Sequence, residues 1–140
     1  MMVFAVDLIT KVAASERLAG RGVVELPGPV DLRLGYNPGI AFSFVDMLPS
    51  WVVLGLTGAV AAALAIAAWR GSFASPLAAG VVVGGAVANV ADRAQGGTVV
   101  DMLYTGWWPT FNVADIAIVC GGIALVITGL RATRDLPERG

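Results

Sequence analysis

The sequence predicts an all-α membrane bundle carrying a small β-element, and three observations predict it. Apolar residues make up 57% of the 140-residue chain and charged residues 14%, where soluble domains average about 45–50% and about 25%. Mean hydropathy is +0.80. Long apolar runs recur, separated by short segments rich in Gly, Pro and Trp. The length suits one domain, residues 1–140, so a single small structure must carry everything.

The first element, residues 1–19, has a helical pattern interrupted by Asp7, Lys11, Glu16 and Arg17. A cleavable leader keeps its apolar centre free of such charges, so this segment is expected to be the first helix of the bundle. Between 23 and 44, turn residues at Pro27-Gly28-Pro29 and Asn37-Pro38-Gly39 flank Val30-Asp31-Leu32-Arg33-Leu34. The apolar-polar alternation there is that of a strand, and a small sheet at the membrane surface is expected. Residues 51–69 carry no charge and nearly reach the ~20 residues that a ~30 Å hydrocarbon core requires. Trp51 and Trp69 stand at the ends, where indole rings favour the headgroups.

A third helix is expected at 76–93, with Pro76 in its first turn, where the missing N–H costs nothing. Gly84-Gly85-Ala86 gives it a face that another helix can approach closely. Residues 95–111 read as a connecting segment whose Tyr104, Trp107 and Trp108 anchor at the interface. The fourth helix is expected at 113–130, followed by a polar tail. Cys120 and the methionines are assigned to helix packing. Four transmembrane helices result. Basic residues do not orient them, because Arg70 and the tail arginines balance Arg17, Arg21, Arg33 and Arg93.

Composition removes most chemistries. The chain has no histidine, which excludes Ser-His-Asp and Cys-His catalysis, His-ligated zinc and the HExxH motif. One cysteine permits neither an intrachain disulfide nor a cysteine-rich metal site. A net charge of −1 gives no surface for a phosphate backbone, so nucleic acid is not expected as a partner. Neither a metal nor a cofactor is expected. Acid-base chemistry must come mainly from carboxylates.

Ionisable residues at membrane depth cost roughly 2.5–3.5 kcal/mol each on insertion scales, so each needs a partner or a purpose. Asp7, Asp92, Asp101 and Asp115 qualify. Asp7 and Lys11 lie four apart on one helix, where a structural ion pair and a direct role are equally open. Asp92 and Arg93, close to Asn89, favour a structural polar cluster. Asp101 follows Val99-Val100 in a connecting segment and Asp115 opens the last helix, so the two can converge. Two carboxylates sharing a site cannot both ionise easily; one keeps its proton while the other activates water. Asp115 has a second reading, since Asn112 can cap the helix and Asp115 can satisfy its first amides. Spacing alone leaves these two readings even.

Five motifs then occur in order: Asp7-Leu-Ile-Thr-Lys11, Asn37-Pro-Gly-Ile-Ala-Phe42, Gly84-Gly-Ala-Val-Ala-Asn-Val-Ala-Asp-Arg93, Val99-Val-Asp101 and Phe111-Asn-Val-Ala-Asp115. They resemble the DxxTK, NxGxAF, GGAxxNxxDR, VVD and FNxAD motifs of the lipoprotein signal peptidase (signal peptidase II) family, from Asp7 to about Leu130. The resemblance implies a bacterial plasma-membrane aspartyl endopeptidase with four spans, a surface β-cradle and an active site near the outer face. Its implied partners are membrane lipid and its substrate, a diacylglyceryl-modified prolipoprotein cut before the lipidated cysteine. It further implies Asp101 and Asp115 as the catalytic dyad, Asn89, Arg93 and Asn112 lining the same site, and supporting roles for Asp7, Lys11, Asn37 and Asp92. Two features depart from the family: the apolar run before Asp7 is short, as if the helix lacked its first turns, and so is the segment between Asp101 and Asp115.

The competing class is a small four-helix membrane transporter or binding protein whose buried aspartates take up protons or cations. Transport would place a charge inside a continuous span such as 51–69, which has none. The polar residues gather instead toward one end, where a protease needs water.

Overall fold

The structure is a computed structural model that describes residues 2–38 and 49–134. The parts of the expected β-element at 39–44, of the second motif at 39–42 and of the polar tail at 135–140 lie outside the described residues. In chain order the elements are α1 (Met2–Leu18), β1 (Asp31–Asn37), α2 (Ser50–Trp69), α3 (Pro76–Gly96), β2 (Val99–Tyr104) and α4 (Val113–Arg134).

The helix α3 is the hub, packing against α1, α2 and α4, and its small residues make this possible. Ala78, Ala79, Val82, Gly85 and Ala88 are buried along it. A Cβ on Gly85 would lie 2.7 Å from the Ala114 carbonyl oxygen, and one on Gly121 of α4 would lie 2.7 Å from Val82 Cγ2. The backbones of α3 and α4 therefore approach as closely as glycine permits, the packing mode of helices in lipid. Gly84 turns to α1, where a Cβ would stand 3.3 Å from Val3 Cβ. Ser75 caps α3 by accepting the Ala78 N–H at 3.2 Å. The helix runs three residues past the expected end at 93 and stops where Gly97 adopts φ 70 and donates its N–H to the Arg93 carbonyl, a left-handed glycine terminus.

Among the described residues, three helices are long and apolar enough to cross a membrane: Trp51–Trp69, Pro76–Gly96 and Val113–Arg134. Only 11% of the first window is buried inside the molecule, so lipid must cover the rest of a helix that is apolar all round. With 17 residues, α1 reaches about 26 Å, and four charged side chains interrupt it; it is not among the three. Cys120 corrects the packing expectation: it is exposed, because Ala114, Ala117 and Gly121 form the buried stripe of α4 and position 120 falls to one side of it.

The strands form one antiparallel pair with Asp31 opposite Tyr104, Leu32 opposite Leu103, Gly35 opposite Asp101 and Asn37 opposite Val99. Between the Leu32 and Gly35 pairs β1 advances three residues while β2 advances two, a bulge that breaks the alternation expected from Val30 to Leu34. The partner strand is a correction to the connecting-segment reading of 95–111. A lone strand leaves its backbone groups unpaired, and Val99-Val100 supply the β-branched residues that let this segment meet the need. Further bridges join Val24 to Leu32 and Leu103 to Phe111. Below the sheet, Leu32, Leu34 and Leu103 pack on Ala14, Leu18 and Met102, fixing it to the C-terminal end of α1.

Candidate active site

Asp101 and Asp115 come together around one residue, Asn112. The strand β2 delivers Asp101, whose side chain is buried, and the first turn of α4 delivers Asp115. Asn112 precedes α4 and accepts the Asp115 N–H on Oδ1 at 2.9 Å; its own N–H donates to Asp115 Oδ2 at 3.2 Å. This is a reciprocal capping box. The Asn112 amide nitrogen then donates to Asp101 Oδ1 at 2.6 Å and to Asn89 Oδ1 at 3.3 Å. Asp115 is thus a helix cap and a neighbour of Asp101 at once.

Behind this pair lies Lys11, almost wholly buried, its ammonium against Asp7 Oδ2, Asp92 Oδ2 at 2.9 Å and Asn89 Oδ1 at 2.9 Å. An ammonium has three donors, and here each has an acceptor. The other oxygen of Asp7 accepts the Ala114 N–H at 2.8 Å, satisfying a free amide in the first turn of α4. Asp92 Oδ2 also accepts the Val100 N–H at 3.3 Å, tying α3 to β2. Asn89 completes the network, donating to Asp115 Oδ1 at 2.8 Å.

Burial pushes the Asp101 carboxyl up from 3.8 to about 6; the charge of Asp115 adds to the rise, while the Asn112 and Asn37 side chains and the Lys11 charge oppose it. Asn37 lies two residues beyond Gly35 on β1, on the strand face that Gly35 turns to Asp101. Gly35 itself has no room for a side chain, since a Cβ would stand 2.8 Å from Thr110 Oγ1. The Arg93 guanidinium feels Asp115, Asp101 and Asp92 electrostatically but forms no ion pair among the described residues, and its Nε is buried without a hydrogen-bond partner. Next to Asp115 opens a groove of about 360 Å³ walled by Thr105, Trp107, Trp108, Phe111, Ile116, Val119 and Cys120, almost wholly apolar.

The sequence-predicted residues Asp7, Lys11, Asn37, Asn89, Asp92, Arg93, Asp101, Asn112 and Asp115 all meet in this cluster. Sequence reasoning missed the Asp7 to Ala114 bond, the Gly35 and Thr110 contact, and the groove. Val99-Val100 before an aspartate was the one signal that could have found the strand delivering Asp101.

A family model described as signal peptidase (SPase) II matches residues 1–131. A lipoprotein signal peptidase of Rhodococcus jostii (strain RHA1) is 42% identical over 136 residues, covering 92% of this chain and 69% of that one. One from Syntrophomonas wolfei is 41% identical over 133 residues, covering 91% and 87%. A solved bacterial membrane enzyme, obtained by the in meso method at 2.3 Å resolution, matches the fold with a TM-score of 0.81 over 99% of this chain and 89% of its own, at 22% identity. Fold and relatives together define a membrane-embedded peptidase. The chain belongs to the signal peptidase II family.

Proposed function

We propose that this peptidase removes the signal peptide from diacylglyceryl-modified prolipoproteins by cutting before the lipidated cysteine, with Asp101 and Asp115 as its catalytic pair. The observation that carries the reading is the Asn112 bridge, which holds two carboxylates of unequal environment side by side. Asp115, at a helix N-terminus whose partial positive charge favours the anion, is the base. It takes a proton from water as that water attacks the scissile carbonyl, while protonated Asp101 gives its proton to the carbonyl oxygen. Collapse of the resulting diol passes a proton to the leaving amine and restores the pair. The Asp101 value of about 6 keeps part of the population protonated near neutral pH.

The names of the relatives supply the substrate class. The apolar groove beside Asp115 gives the apolar part of such a substrate a wall within reach of the base. Four spans are part of the reading: α1 packs against both α3 and α4, and the charges of Asp7 and Lys11 neutralise each other within the bundle. The protein then resides in the bacterial inner membrane with its pair near the outer face. Purified protein mixed with a diacylglyceryl-modified prolipoprotein tests the function: wild type should release the signal peptide and Asp101→Asn should not. Absence of cleavage by folded wild type would refute it. A proton or cation carrier using the same aspartates is disfavoured by the charge-free α2.

A further inference from the structure

We propose that Lys11 is a positioning residue that acts through Asn89 to make Asp115, rather than Asp101, the base of the pair. The inference rests on the acid and base roles given above. A side-chain amide can sit in either of two orientations that differ only in where oxygen and nitrogen lie, and its neighbours choose between them. The Lys11 ammonium stands 2.9 Å from Asn89 Oδ1, and turning the amide over would press an NH₂ group against that cation. The oxygen is therefore held toward Lys11, and Nδ2 is held toward Asp115 Oδ1 at 2.8 Å. The Asn112 amide is fixed likewise, because the Asp115 N–H occupies its Oδ1 at 2.9 Å.

Both oxygens of Asp115 consequently accept N–H donors, from Asn89 Nδ2 and the Asn112 backbone. Two N–H donors aimed at its two oxygens stabilise the carboxylate form, the form a base needs. Asp101 receives Asn112 Nδ2 on Oδ1, with the Asn37 amide beside it on β1, and holds the proton of the pair. The charged groups facing it are Lys11 from α1, Asp115 from α4 and Arg93 from α3. Asp7 and Asp92 stand behind Lys11 and pair with it.

Lys11→Met tests this by the pH dependence of kcat/KM on monodisperse, folded protein. Asn89 keeps only the longer bond from Asn112 Nδ2 to hold its oxygen turned from Asp115, so kcat should fall ~10–100-fold, the scale of a misaligned catalytic group. Removing a cation that favours ionised Asp101 should move the alkaline limb to higher pH, on the order of half a unit or more. A purely structural lysine would lower the yield of folded protein and leave kcat and the limb of the folded fraction unchanged, and that result would overturn the proposal. Where the single variant does not fold, Lys11→Met/Asp92→Asn removes one charge of each sign, and the same two changes are expected. Failure of this balanced variant to fold would make Lys11 structural and overturn the proposal too. Adding Lys11→Met to Asn89→Leu should cost little more than Asn89→Leu alone, because the lysine acts through the asparagine; full additivity contradicts it. Wild-type inactivity would instead strike the functional reading itself.

Discussion

Asp101 is held where its charge is least welcome. Its carboxyl rises from 3.8 to about 6 on folding, so between those values the folded protein binds a proton that the unfolded chain has released. Stability is therefore fullest below the lower value, falls as pH rises through the window and is lowest above about 6, each unit being worth about 1.4 kcal/mol. Asp101→Asn deletes this cost, so at pH 7.5 its thermal unfolding in detergent should come at the same temperature as wild type or higher, with cleavage abolished. A marked loss of stability would show that the buried carboxylate stabilises the fold. Asn112→Ala should behave oppositely: it removes a helix cap worth about 1 kcal/mol and the donor to Asp101, so stability and cleavage fall together. At this scale the site was legible because intramembrane charges are few. The Asp7 bond to the Ala114 N–H, 107 residues away, was not, since a backbone amide leaves no mark in composition.

Among the elements, the helices were legible from their apolar runs, Pro76 marking the start of α3 most clearly, while the end of α3 at Gly97, three residues past the expected one, was not. The strand β2 was not: six residues between glycines carry little pattern, and its partner lies more than sixty positions earlier. The bulge in β1 hid further, because an extra residue shows only once two strands are paired. Two glycines make the resulting contacts testable. Gly85→Ala sets a methyl group against the Ala114 carbonyl, a backbone atom that cannot yield, and should destabilise the α3 and α4 contact by about 1–3 kcal/mol, read as a lower unfolding temperature. Gly35→Ala meets the Thr110 hydroxyl instead. It should lower activity by shifting the strand that faces Asp101, and Thr110→Ala should restore much of the loss by making room. Failure of that rescue would mean that Gly35 is needed for some other reason.

For the whole molecule, the four spans proposed above would place residues around 25 and 109 on one face and residue 72 on the other. Cys120 is the sole cysteine, so Glu25→Cys, Pro109→Cys and Ser72→Cys in a Cys120→Ser background can be labelled from outside intact cells with an impermeant reagent. The first two should react and the third should not; labelling of residues 25 and 109 on opposite faces would remove α1 from the membrane. The central claim, that Asp101 and Asp115 act as one catalytic unit on a lipid-modified prolipoprotein, is tested most directly by single-turnover cleavage with wild type, Asp101→Asn, Asp115→Asn and the double variant, each confirmed folded. Each single change should abolish cleavage, and the double should be little slower than either, as for groups that work together. Substantial cleavage by folded Asp115→Asn, or losses that simply add, would contradict it.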